Sequence, residues 1–230
     1  MNDFIKGIKD GIPICLGYFS VSFGFGILAV SQGLPAWAAV VISLTNLTSA
    51  GQVAGVGVIA EGGSCLEMIL TQLIINCRYF LMAIALSQNL SDKFNLGHRF
   101  LAAFGITDEI FGVASSKEEP LTPLYMYGMI IIATIGWTMG TLIGAVAGNV
   151  FPEAVRNALG ILLYGMFIAV IIPPVRKSRA NLAVVLIAAA ISCILYYGLP
   201  QLSSGFSVII CAVISAAILA VLAPVEDKEE

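Results

Sequence analysis

Apolar positions in this chain run in long unbroken blocks, separated by short polar or Pro/Gly-rich breaks. The blocks fall at about 12–32, 36–60, 67–88, 100–114, 124–148, 155–172, 182–199 and 206–223. A run of about 20 apolar residues builds a helix that crosses a bilayer. A membrane barrel would instead alternate apolar and polar positions. The pattern therefore predicts an all-α polytopic integral membrane protein of about eight hydrophobic helical segments. They form a single transmembrane domain over 1–225, followed by a short acidic cytoplasmic tail at 226–230.

Two blocks depart from the rule. Segment 36–60 is polar at its middle, with Ser43, Thr45, Asn46, Thr48, Ser49 and Gln52. At 100° per residue, Thr45, Thr48, Ser49 and Gln52 share one stripe of a continuous helix. A helix unwound near Thr48-Ser49-Ala50-Gly51 would instead expose backbone groups, as in many transporters. The plain alternative is ordinary hydrogen bonding between helices. Segment 100–114 is short and contains Thr107-Asp108-Glu109. Both segments either cross the membrane or form broken, re-entrant pieces. In the first segment, Pro13 suits a first-turn position, and Gly17, Gly24 and Gly26 thin one side of the helix. In the fifth, Gly136, Gly140, Gly144 and Gly148 form a ladder at a spacing of four, a face for close helix contact inside the chain or with another subunit. The last two segments carry no internal charge and read as scaffold.

Only 11% of the 230 residues are charged and 59% are hydrophobic, with a mean hydropathy of +0.97; soluble domains are charged at about a quarter of positions. Against this background Arg78 stands out, near the middle of the third segment with Asn76 beside it. A cation at bilayer centre costs about 2.5–3.5 kcal/mol on insertion scales and normally faces a cavity or a partner. Glu67 lies eleven residues away, roughly 16 Å along a helix, too far to pair. Asp108 and Glu109 are the expected counter-charges. The bland alternatives are a snorkelling arginine and acids held in interfacial water.

Lys and Arg placement puts both termini in the cytoplasm. With eight full spans, Lys6, Lys9, Lys117, Arg176, Lys177, Arg179 and Lys228 lie inside, and Lys93, Arg99 and Arg156 outside. With segments 36–60 and 100–114 re-entrant, only Arg156 stays outside, a better count. The short lead to Asp10 lacks a small-residue cleavage site, so the first segment is expected to be a retained helix.

No nucleophile–base pair, phosphate loop or dinucleotide pattern is present, so an enzyme is not expected, and neither is a cofactor. The five cysteines are scattered and His98 is the single histidine, so no metal site is expected. No basic stripe suits nucleic acid. Intramembrane charges point to a transport pathway. One cation, two acids and apolar walls fit a zwitterion with a hydrophobic side chain. The candidate substrate residues are Arg78, Asn76, Thr45, Thr48, Ser49 and Gln52. Asp108 and Glu109 are candidates for binding an ammonium group or the coupling proton, since a desolvated carboxylate beside a like charge takes up a proton readily.

At these residues the sequence resembles the AzlC family, the large subunit of branched-chain amino acid exporters linked to azaleucine resistance. The matching pieces are Gly11-Ile12-Pro13, Ser49-Ala50-Gly51-Gln52, Asn76-Cys77-Arg78, Thr107-Asp108-Glu109 and Gly136-Trp137. The chain is more polar than the family pattern at Thr48 and Ser49. The resemblance implies export of leucine, isoleucine, valine and methionine across a bacterial inner membrane, with a small hydrophobic subunit of the AzlD type. The Gly136–Gly148 ladder is then a candidate partner surface. The competing readings are a channel, a non-transporting membrane scaffold, or an exporter of another small amphipathic substrate.

Overall fold

The computed structural model of the protein describes residues 2–147 and 178–222, with Pro152, Gly165, Ile168, Ile171, Ile172, Val175 and Arg176 between them. Most of the sixth predicted segment (155–172), Gly148 and the acidic tail 226–230 lie outside these residues. Among the described residues the fold is helical, with one isolated parallel bridge, Leu90 to Leu121. The helices are α1 (Asp3–Ser31), α2 (Ala36–Thr45), α3 (Ala50–Ala60), α4 (Cys65–Ser87), α5 (Leu96–Phe104), α6 (Asp108–Ser115), α7 (Pro123–Ala147), α8 (Arg179–Gly198) and α9 (Ser204–Leu222). Five of them, α1, α4, α7, α8 and α9, are long and apolar enough to cross a membrane. That is fewer than the eight apolar blocks, because blocks 36–60 and 100–114 each break into two short helices and most of block 155–172 lies outside the described residues.

The chain folds as two compact units, Met1–Val53 with Ile75–Leu163 and Ala54–Ile74 with Tyr164–Glu230. The first unit is built on α1 and α7. A Cβ at Gly7 or Gly11 would strike the backbone at Tyr125 or the side chain of Ile132, and one at Gly136, Gly140 or Gly144 would strike the carbonyls of Cys15, Phe19 or Phe23. Both numbers rise together, so the two helices run parallel. Their backbones touch wherever a glycine removes the side chain, which gives dispersion contact along the whole seam. The glycine ladder is therefore covered by α1 over its described members. This corrects the expectation of a partner surface: Gly136, Gly140 and Gly144 are occupied inside the chain.

Polar contacts lock the starting ends of these helices together. Thr122 donates to Asp3 (2.8 Å), Lys117 pairs with Asp10 (2.7 Å), and the Tyr125 hydroxyl also donates to Asp10 (2.8 Å). The helix begins at Asp3 because the Asn2 side chain caps it by accepting from the Phe4 amide. Pro13 consequently sits inside α1, not in its first turn as expected.

The second half of α4 runs opposite to α1 and α7. Arg78 lies level with α6, which reaches the middle of α1. The chain leaving α4 returns to the start of α7, where Ser91 N–H donates to the Leu121 carbonyl. Segment 100–114 breaks into α5 and α6, which form a helical hairpin. It enters beside Tyr127, whose hydroxyl is 2.7 Å from His98 Nδ1. It turns at 105–107 and comes back, with Glu109 against Tyr18 and Lys117 against Asp10. Both its ends thus lie at the starting end of α1 and α7. Gly105 permits the turn, since a Cβ there would collide with the Ile130 side chain.

Segment 36–60 doubles back as well. It begins at the far end of α1, after the Gly33 turn (φ +90°). The Gln52 side-chain amide donates to Ser43 Oγ at 3.1 Å. Nine residues of continuous helix would hold these positions about 13 Å apart along the axis. The corner at 46–49 holds Ser49 at φ +46°, a left-handed conformation that costs a non-glycine residue about 1 kcal/mol or more.

In the second unit, α8 and α9 form an antiparallel pair joined by a short turn, with Leu202 N–H donating to the Leu199 carbonyl. The Glu61 carboxylate accepts from the Ser204 amide (2.8 Å) at the start of α9.

Candidate functional site

Tyr18, Arg78 and Trp137 each lie near the middle of a helix long enough to span, and the α5–α6 hairpin delivers two carboxylates to them. Thr107 caps α6 by accepting from the Ile110 amide (3.3 Å), so Asp108 and Glu109 occupy its first turn. There the helix dipole favours negative charge. Adjacent residues point about 100° apart, and the two acids therefore meet different helices. Asp108 Oδ2 pairs with Arg78 Nη1 at 2.8 Å. Glu109 Oε2 lies 2.5 Å from the Tyr18 hydroxyl, which is also 2.5 Å from Thr107 Oγ1. A phenol has one proton. It satisfies both contacts by donating to the carboxylate and accepting from Thr107, and Thr107 in turn accepts from the backbone.

Arg78 is held from its own helix too. Its Nη2 donates to the Tyr79 hydroxyl (3.2 Å), and the guanidinium carbon lies 5.0 Å from the Tyr79 ring centroid. Its Nε is buried without a partner. The Arg78 and Asp108 side chains are 36% and 30% exposed, so this ion pair is reachable. Tyr79, which the guanidinium overlies, packs against a buried apolar floor that includes Leu47, Ile106, Ile110 and Trp137. Trp137 packs edge-on against Tyr18, with centroids 5.1 Å apart, and its indole N–H has no partner.

One turn further along α7 is a second polar group. Thr141 donates to the Trp137 carbonyl (3.0 Å) and shares a 2.7 Å hydrogen bond with Ser43, which accepts from Gln52. Gln52 is 1% exposed, yet its Oε1 is unpartnered, as are Thr48 Oγ1, Ser49 Oγ and Thr138 Oγ1. Buried polar atoms are normally satisfied. This many unmatched acceptors and donors in one unit is what a site for a polar ligand requires.

The expected site residues thus divide. Arg78 and Asp108 come together, Glu109 takes Tyr18, and Thr48, Ser49 and Gln52 gather at the other hairpin. Thr45 does not join them: it is exposed, and its hydroxyl donates to the Val41 carbonyl (2.7 Å). Asn76 lies about 200° around α4 from Arg78 and does not share its face. Tyr18 and Thr141 are not among the residues the sequence singles out. The available signal for Tyr18 is a tyrosine at mid-span, away from the interfacial belt where that residue is usual.

Comparison with known proteins places the chain among membrane proteins. The family profile described as "AzlC protein" matches residues 13–151. The chain is 26% identical over 225 residues to "Inner membrane protein YgaZ" of Escherichia coli (strain K12), covering 94% of this chain and 91% of that protein. It is 27% identical over 183 residues to an "Uncharacterized membrane protein" of Archaeoglobus fulgidus, covering 79% and 80% of the two chains. No solved structure matches. The profile takes in both hairpins, Tyr18, Arg78, Asp108 and Glu109, and the chain belongs to the AzlC family of membrane proteins.

Proposed function

We propose that this chain is the large subunit of a two-component, proton-coupled exporter of branched-chain amino acids, working with a small hydrophobic subunit of the AzlD type. The observation that carries the reading is the accessible Arg78–Asp108 ion pair at mid-helix, set among Tyr18, Tyr79 and Trp137. A zwitterionic amino acid can replace each partner for the other. Its carboxylate takes the guanidinium, its ammonium takes Asp108, and no net charge is added to the interior. The apolar floor accepts an aliphatic side chain and gives nothing to a polar one. Glu109, linked to Tyr18, is the carboxylate left to carry a proton while Asp108 holds the substrate. Catalytic chemistry has no part in this reading, and a channel would need rings of like groups.

The test is efflux of preloaded radiolabelled leucine from cells expressing the chain, with and without the partner subunit, for wild type and Arg78→Gln at matched membrane levels. Efflux that requires both Arg78 and the partner supports the proposal. Efflux indifferent to Arg78 overturns the site. Asp108→Asn and Glu109→Gln variants that both keep the wild-type rate and pH profile overturn the proton coupling.

A further inference from the structure

The second unit contains a polar cluster that the proposed amino acid site does not use. Glu67, in the first turn of α4, is 3% exposed, and Thr71, one turn on, is fully buried. The Ser203 hydroxyl donates to Glu67 Oε1. A Cβ at Gly205 would lie 2.5 Å from Glu67 Oε1 and 2.8 Å from Thr71 Oγ1, so the two oxygens converge on one spot. On the other side, a Cβ at Gly63 would lie 2.8 Å from Glu67 Oε2. Gly63 and Gly205 thus bring backbone close against the carboxylate where no side chain would fit. Thr71 Oγ1 has no hydrogen-bond partner.

Helix capping explains part of this cluster. The exposed Glu61 already takes the Ser204 amide at the start of α9, and a helix N-terminus carries only about half a positive charge. Glu67 is then a second carboxylate at the same end, and among the described residues no Lys, Arg or His pairs with it. A buried carboxylate without a counter-charge costs several kcal/mol. Hydroxyl and carboxylate oxygens are hard ligands, which suit alkali and alkaline-earth ions over transition metals. A single buried carboxylate matches a single positive charge, whereas calcium sites commonly gather several carboxylates.

We propose that Glu67, Thr71 and the Ser203 hydroxyl hold a sodium ion in the second unit. The site shares no residue with the proposed amino acid site, and its occupancy can be measured with no amino acid present. Failure of one reading therefore leaves the other standing.

The experiment uses the purified full chain. Its melting temperature is followed from about 1 to about 100 mM NaCl against choline chloride at constant ionic strength, because an ion that binds the folded state raises stability by mass action. Wild type should gain several degrees. Thr71→Val, which removes one ligand at nearly constant volume, should shift the response to about tenfold higher sodium. Glu67→Gln should lose it. Uptake of 22Na+ by wild-type protein in equilibrium dialysis gives the same answer without a variant. A wild-type melting temperature blind to sodium, or a sodium response that survives Glu67→Gln in folded protein, overturns the proposal. So does a pH response carried by Glu67 with no response to sodium, which would assign the site to a proton.

Discussion

The side chain of Arg78 needs a partner wherever α4 lies in hydrocarbon, and Asp108 supplies it at 2.8 Å. Breaking a fully buried pair costs about 3–5 kcal/mol because the remaining charge is stranded. Both side chains here are about a third exposed, so the cost should be lower, on the order of 1–3 kcal/mol for Arg78→Gln or Asp108→Asn alone. The double variant Arg78→Gln/Asp108→Asn should recover most of that stability and still not transport leucine. Thermal melts and efflux on the three proteins check this, and a double variant that transports would assign the pair to structure alone. The need for a counter-charge was legible in the sequence because the penalty is large. Which acid meets it was not. Asp108 and Glu109 are adjacent, and only the start of α6 at the Thr107 cap decides which of the two faces α4 and which faces Tyr18. The misplacement of Thr45 has the same origin. A stripe drawn at 100° per residue through 45–52 assumes one helix, and the helix stops at Thr45, whose hydroxyl turns back to Val41.

Helices α1 and α7 show how much of an element's role spacing alone reveals. A glycine every four residues announces a close helix contact, and the sequence does not say with what. The Phe19 carbonyl lies where a Gly140 side chain would start, and the Phe23 carbonyl does the same at Gly144. Backbone cannot swing aside as a side chain can. Gly140→Val should therefore separate the two helices and destabilise the protein by about 1–3 kcal/mol, read as a lowered melting temperature with or without a partner subunit. Normal stability with lost co-purification would return the ladder to a partner. At the α2–α3 corner the expectation runs the other way. Ser49 holds φ +46° and its hydroxyl has no partner. Ser49→Gly should raise stability by about 1 kcal/mol by relieving the backbone, while weakening leucine efflux if the hydroxyl serves the substrate. A stabilised variant with full efflux would remove Ser49 from the site.

At the scale of the whole molecule, the Lys/Arg tally favours six crossings over eight without settling the matter, because the two models differ only by the polar stretch at 89–99. Contacts distinguish them for the α5–α6 hairpin. The bridge from Leu90 to Leu121 and the pair from Lys117 to Asp10 put its entry, its exit and the start of α1 at one level. Single cysteines at Lys93 and Glu119, in a cysteine-free background, should both react with an impermeant maleimide from the side that exposes the N-terminus. A cysteine at Gly33 should react only from the other. Opposite labelling of positions 93 and 119 would mean that the hairpin crosses. Hydropathy could not supply this answer, because a re-entrant pair and a full span are equally apolar.

The two hairpins also carry a consequence as a pair. A long helix, α1, is followed by two short helices with a non-helical corner at 46–49, and Ser49 stands just ahead of the second short helix. Another long helix, α4, runs the opposite way and is followed by two short helices with a corner at 105–107, where Thr107 holds the same place. The order of parts, one long helix and then two short ones, thus occurs twice along the chain, an order that inverted-repeat transporters also use. In inverted-repeat transporters such paired elements exchange roles as the central site turns from one leaflet to the other.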